Sequence, residues 1–286
     1  MSNAVLLLSC PDRPGIVAAV AGFVAEQGGN IVHADQHTDP VGVGDGPVFF
    51  QRVEFELDGF GVAREAIAAA FAPVAARLGM DVTLRFTDER ARTAILVSRQ
   101  PHCLADLLVR WSAGELPCDI EVVVANHPDH ARLCEGLGVP YVHVPVEPGH
   151  EVAHEARVLE VLAARDIDLV VLARYMRILS PRAIAAYPSR IINIHHSFLP
   201  AFVGANPYRQ AHDRGVKVIG ATAHYATDAL DEGPIIEQDT VRVSHRDDVA
   251  RLTRAGRDLE TAVLARAVRA HLEHRVLTYG AKTVVF

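Results

Sequence analysis

The chain has 286 residues, half of them hydrophobic and 22% charged, which suits a globular protein with a sizeable core in one large or two smaller domains. A formal net charge of −7 with no basic stripe argues against a nucleic-acid surface. No apolar run approaches the roughly 18 residues of a membrane helix, and the N-terminus lacks the charged and apolar regions of a secretion signal. Cys10, Cys103, Cys118 and Cys134 form no C-x-x-C pair, so the expected setting is the reducing cytoplasm.

Residues 4–86 read as a unit of their own. Val5 to Leu8 is an apolar strand, Cys10 to Gly15 a turn, and Ile16 to Gln27 a helix stopped by Gly28-Gly29. Asn30 to Thr38 and Val48 to Leu57 are strands joined by a Gly-rich loop from Asp39 to Pro47. Ala63 to Leu78 is a second helix and Asp81 to Phe86 a last strand, which gives the βαββαβ order of a ferredoxin-like layout. The polar stretch from Thr87 to Arg92 is the expected linker.

From residue 93 to 286 short apolar strands alternate with helices, the pattern of a mostly parallel sheet and a Rossmann-like α/β domain. The expected strands are Ala94 to Ser98, Ile120 to Ala125, Tyr141 to Val144, Leu169 to Ala173 and Ile191 to Ile194. Two further strands, Val216 to Tyr225 and Pro234 to Val243, flank a loop containing Asp231, and a helix runs from Asp247 to about Glu273.

Chemistry concentrates in the run Ile191 to Pro200. Strand side chains alternate, so Asn193 and His195 share one face while Ile192, Ile194 and His196 take the other. An amide donor can hold a developing oxyanion, and a neighbouring imidazole can move a proton. Downstream, His224 to Pro234 supplies a carboxylate, Asp231, placed to orient and charge His195. Adjacent histidines on a strand face opposite ways, so His195 and His196 are not expected to chelate one ion, and no metal site is expected. Asp228 and Glu232 read as solvated loop acids.

These residues carry a resemblance. Asn193-Ile194-His195, the following Leu199-Pro200 and the His224 to Asp231 spacing resemble the folate-dependent formyltransferase family. The segments Leu169 to Ser180, Ile191 to Tyr208, Val216 to Gly233 and Arg275 to Gly280 are similar to its hydrolytic branch. The Asp12-Arg13-Pro14-Gly15-Ile16 turn and its surroundings resemble an ACT domain, which precedes the catalytic domain in that branch. The resemblance implies domains at 1–86 and 93–286. It implies hydrolysis of 10-formyltetrahydrofolate to formate and tetrahydrofolate, supplying formate for purine biosynthesis and balancing one-carbon pools. It implies Asn193, His195 and Asp231 as the catalytic trio. Met176, Arg177, Ile178 and Leu179, with His224, Thr227 and Leu230, would wall the folate pocket. The folate is then a substrate, with no separate cofactor. Expected partners are an amino-acid effector at the ACT domain and further copies of the chain; neither nucleic acid nor membrane is expected.

Two departures bear on the acceptor. Relatives that formylate a ribonucleotide carry a Gly-rich phosphate cradle after the first strand of this domain. Here the segment is Ser98-Arg99-Gln100-Pro101-His102-Cys103, without glycine, and Pro101 lacks an N–H. Pro101 also stands where hydrolytic relatives often have an acidic residue. His196 stands where ribonucleotide transferases usually have proline, which again favours water as acceptor. The alternatives are a transferase with a non-ribonucleotide acceptor, and a regulator that only binds folate and an amino acid. The intact trio counts against the second, because simple binding does not need it.

Overall fold

The computed structural model describes residues 2–42, 46–200 and 207–286. The middle of the expected Asp39 to Pro47 loop, and residues 201–206 within the similarity segment, lie outside the described residues. The chain forms two compact units, one of residues 1–90 and 273–286, the other of residues 91–272.

In the first unit the elements follow the expected order: β1 (Asn3–Pro11), α1 (Ile16–Glu26), β2 (Ile31–Asp39), β3 (Val48–Glu56), α2 (Ile67–Leu78) and β4 (Asp81–Phe86). The antiparallel sheet has the order β2-β3-β1-β4, that of a ferredoxin-like fold. Alternation along β1 and β3 supplies both faces of this sheet. Leu6, Leu8, Val53 and Phe55 pack with Ile16, Val20, Phe23 and Phe71 of the helices. Val5, Leu7 and Phe50 point the other way, and there the C-terminus covers them.

The second unit contains β5 (Ala91–Val97), α3 (His102–Ser112), β6 (Cys118–Ala125), α4 (Ala131–Gly136), β7 (Tyr141–His143), α5 (Glu151–Ala163) and β8 (Leu169–Ala173). It continues with α6 (Pro181–Ala186), β9 (Ile191–His195), α7 (Pro207–Arg214), β10 (Val218–Tyr225), β11 (Ile235–Arg242) and α8 (Val249–Leu272). The sheet order is β11-β10-β9-β8-β5-β6-β7. Strands β5 to β9 pair in parallel, and β10 and β11 add antiparallel to β9. All five residues of β8 are buried, as a central parallel strand covered on both faces requires.

Chain direction across this sheet sets the site. From β5 the chain steps outward through β6 and β7, then returns to add β8 on the other side of β5. Loops leaving the carboxyl ends of β5 and β8 therefore part around a crevice, the usual ligand position in such sheets. The two loops are tied together: the Ser98 amide donates to the Arg174 carbonyl at 3.3 Å, and the Met176 amide donates to Ser98 Oγ at 3.0 Å.

Two boundaries need correction. Ala91 and Arg92, read as linker, already pair in β5. Residues 273–286, assigned to the second domain, belong to the first unit, where β12 (Val276–Tyr279) and β13 (Lys282–Val285) form a hairpin. The cause is the apolar second face of the first sheet: Leu277, Tyr279, Val284 and Phe286 pack on Val5, Leu7 and Phe50. Tyr279 Oη also donates to Asp39 at 2.8 Å, and the buried Arg52 donates through Nε to the His274 carbonyl at 3.0 Å.

Phe50 is fully buried, with its ring centroid 4.5 Å from that of Tyr279. Phe50→Ala is expected to cost about 3–5 kcal/mol, read as a shift in the urea midpoint. A loss well under about 1 kcal/mol would show that the hairpin contributes little to this unit.

Candidate active site

The β9–β10 pairing brings the polar residues together. Asn193 lies opposite His224 and His195 opposite Thr222 in the antiparallel register. Directly opposed residues present their side chains on one face, so the amide and both imidazoles converge. Asn193 Nδ2 lies 3.2 Å from His224 Nε2. His224 Nδ1 donates to the Tyr225 carbonyl at 3.0 Å, so in the neutral ring Nε2 is the acceptor for the Asn193 amide.

Asp231 enters from the β10–β11 loop. Its backbone is left-handed, with φ 58°, a conformation aspartate tolerates better than most residues. The loop closes tightly because of Gly233: a Cβ there would stand 1.7 Å from the Tyr225 carbonyl oxygen. Asp231 Oδ1 is 3.2 Å from His195 Nδ1 and 3.7 Å from His224 Nε2. The His195 hydrogen bond first, and then the nearby His224 ring, hold the Asp231 carboxyl well below the usual carboxylate range despite partial burial. An ionised Asp231 accepts the Nδ1–H of His195, which leaves Nε2 as the free nitrogen. That Nε2 is buried and has no hydrogen-bond partner. It is the nitrogen available to take or give a proton.

Around this trio is a cavity of about 280 Å³. Met176, Arg177, Ile178 and Leu179 line one side, and Thr227, Leu230 and Asp231 another. Every site residue expected from the sequence therefore borders one cavity together with Asn193, His195 and His224. Met176, Ile178 and Leu230 are exposed apolar side chains at 56, 77 and 57%. Exposed apolar surface around a polar centre is what a flat aromatic ligand would cover. The far end of this wall is fixed by Ser180, which caps α6 and donates through its own amide to Glu155 at 2.7 Å.

His196 departs from expectation. The strand ends at His195, so alternation stops there, and the His196 ring turns back to line the same cavity, with centroids 5.2 Å apart. Burial, and next the Arg174 charge, push its pKa down to about 4, so it is neutral at pH 7. Asp228 also borders the cavity, whereas Glu232 is an exposed loop acid as expected. Arg174, which the sequence reading passed over, lines the cavity as well.

Behind His196 lies a buried polar cluster. Glu260 on α8 is 1% exposed. His102 Nε2 meets its Oε2 at 2.7 Å, Tyr208 donates to its Oε1, and Arg174 Nε stands 3.5 Å from Oε2. Gly256, one turn before Glu260, makes room for Tyr208: a Cβ there would lie 2.2 Å from the tyrosine oxygen. Burial opposes the Glu260 charge, but the His102 hydrogen bond and the Arg174 charge prevail and hold its carboxyl below the ordinary value. His102, Cys103 and Glu260 also bring ligand atoms within 4.8 Å of one another. The donor set is poor for a cation: the guanidinium competes for the carboxylate, and burial pushes the Cys103 thiol far above its ordinary value. A thiol ligates as the thiolate.

The formyl transferase family profile matches residues 91–268, and an ACT domain profile matches residues 4–71. A formyltetrahydrofolate deformylase from Synechocystis is 53% identical, with 99% of this chain and 98% of that protein covered. That of Bacillus subtilis is 49% identical over 98% of this chain and 93% of its own length. The chain belongs to the formyltetrahydrofolate deformylase family. The crystal structure of a family member from Pseudomonas syringae pv. tomato superposes with a TM-score of 0.96 at 49% identity, covering 100% of this chain and 95% of that one. The α/β fold, with an ACT domain ahead of a formyltransferase domain, is thus shared along the whole chain. Among the described residues no helix is long and apolar enough to cross a membrane.

The depressed Asp231 carboxyl has a consequence for stability. A lowered folded-state pKa contributes stability that is fully present above the unfolded value of about 4 and is lost progressively as pH falls from there toward the lower folded value. Between pH 5 and 3 the wild type is expected to lose stability more steeply than Asp231→Asn, measured by urea midpoints. Parallel curves would show that the carboxylate is not coupled to the two histidines.

Proposed function

We infer that this protein hydrolyses 10-formyltetrahydrofolate to tetrahydrofolate and formate. The observation that carries the reading is the convergence of Asn193, His195 and an ionised Asp231 at the end of β9, with Nε2 of His195 unengaged. Family membership supplies the substrate. The pterin and its benzoyl ring would lie against the wall from Met176 to Leu179 and against Thr227 and Leu230.

Chemically, the Asn193 amide donates to the formyl oxygen as it gains charge. His224, holding the other edge of that amide, orients it. Asp231 keeps the Nδ1 hydrogen on His195, so Nε2 accepts a proton from attacking water and then protonates the departing N10. The carbon gains the water oxygen, the C–N10 bond breaks, and one proton is released to solvent as formate leaves.

Water is favoured over an amine acceptor by the glycine-free Ser98 to Cys103 segment, in which the Ser98 amide is spent on the Arg174 carbonyl and Ser98 Oγ on the Met176 amide. The cellular role that follows is formate supply for purine synthesis and control of the one-carbon pool. For the first unit we propose an amino-acid effector in the groove bordered by Asp12, Arg13, Gly15, Gln36 and Thr38, and assembly of the chain into an oligomer.

Purified protein given 10-formyltetrahydrofolate and no acceptor is expected to release formate. Asn193→Ala should lower kcat by about 10²–10³ with little change in folate affinity. Asp231→Asn should come close to abolishing turnover. Faster formylation of an added ribonucleotide amine than of water would overturn the hydrolytic reading.

A further inference from the structure

Arg174 lines the catalytic cavity and takes no part in the steps above. Three observations set it apart. Its backbone is left-handed, at φ 61°. An arginine there carries a cost of order 1–2 kcal/mol that glycine would avoid. Its side chain is only 13% exposed, and Nε and Nη1 are buried without a hydrogen-bond partner. Glu260, the carboxylate paired with it among the described residues, is already engaged: Oε1 accepts from Tyr208 and Oε2 meets His102 at 2.7 Å, while Arg174 Nε stays at 3.5 Å.

A buried guanidinium with unused donors is costly unless something accepts from it. Of the other acids that border the cavity among the described residues, Asp231 is committed to His195 and His224, and Asp228 is exposed to solvent; His196 is neutral. What the reaction itself generates is an anion. One water and one formamide yield an amine, a carboxylate and a proton. We propose that Arg174 forms a one-carbon carboxylate subsite, receiving formate from the catalytic centre as it parts from N10. This rests on the hydrolytic reading. It explains why a residue is kept in a strained conformation beside His195 and His196, and why Glu260 is saturated by Tyr208 and His102 rather than closed onto the arginine. A carboxylate hydrogen-bonded to Arg174 through both oxygens would compete with formate. A carboxylate held at 3.5 Å tempers the charge and lets the product leave.

Formate as a product inhibitor is the probe, compared with chloride at equal ionic strength. Arg174→Gly relieves the left-handed backbone but removes a charge that holds Glu260 ionised, so its fold is verified by near-UV circular dichroism before formate is added. It should raise the formate inhibition constant roughly tenfold or more, the loss expected for one charge-assisted hydrogen bond, while KM for the folate changes little. Arg174→Lys should retain part of the effect. Glu260→Gln keeps an oxygen to accept from Tyr208 and offers an amide N–H to His102 Nε2, which then accepts, while removing the tempering charge; formate should bind more tightly, a change of sign that a merely structural cluster would not give. Line broadening of the formate proton, with protein and tetrahydrofolate present, measures the same affinities without turnover. Failure of the hydrolytic reading alone would appear as formate binding that depends on Arg174 in a protein releasing no formate. An unchanged formate affinity in Arg174→Gly, a wild type that does not bind formate, or an effect confined to KM for the folate would overturn the proposal.

Discussion

The 3.2 Å contact between Asp231 and His195 organises the second unit's chemistry. Without a carboxylate on Nδ1, the hydrogen on the imidazole is free to sit on either nitrogen, and Nε2 is no longer the defined base. The contact joins the end of β9 to the β10–β11 loop, so it depends on the β9–β10 register and on the tight turn before β11. A slip by one residue would turn Asn193 and His195 to the other face. The close approach at Gly233 and the left-handed Asp231 are the local features that let the carboxylate reach across.

Among the described residues five non-glycine residues have a left-handed backbone, and two of them stand at the site. Asp231 and Arg174 are both left-handed and both border the cavity. Neither conformation follows from local propensity, and arginine in particular gains nothing from it. Such residues persist only when the surrounding structure holds them, here the Ser98 pairing at Arg174 and the close Tyr225–Gly233 approach at Asp231. The buried cluster at Glu260 does related work farther back. It joins the start of α3, the end of β8, α7 and α8 through one carboxylate, next to His196.

Much of this was legible in the chain. The Leu169–Ala173 strand ends where expected because an all-apolar run is bounded by Asp168 and Arg174. Asp81–Phe86 was equally plain from its alternation. Asn193, His195 and Asp231 were legible by residue type and spacing, and the wall from Met176 to Leu179 by resemblance. The C-terminal hairpin was not, because its four-residue strands have mixed polarity and gain their reason only from the apolar second face of the first sheet, which they cover. His196 was misplaced because side-chain alternation was carried past His195, where the strand ends. Arg174 gave no signal at all: its partner Glu260 is remote in sequence, and a positive φ at arginine has no sequence signature.

The central claim is that Asp231 keeps the hydrogen of His195 on Nδ1 and leaves Nε2 for the reaction. Nitrogen-15 NMR of the histidine side chains tests it most directly, comparing wild type with Asp231→Asn at neutral pH. The account predicts an Nδ1-protonated His195 in the wild type, and in the variant a shift toward the Nε2-protonated tautomer. An unprotonated Nδ1 in the wild type, or the same tautomer distribution in both proteins, would contradict it.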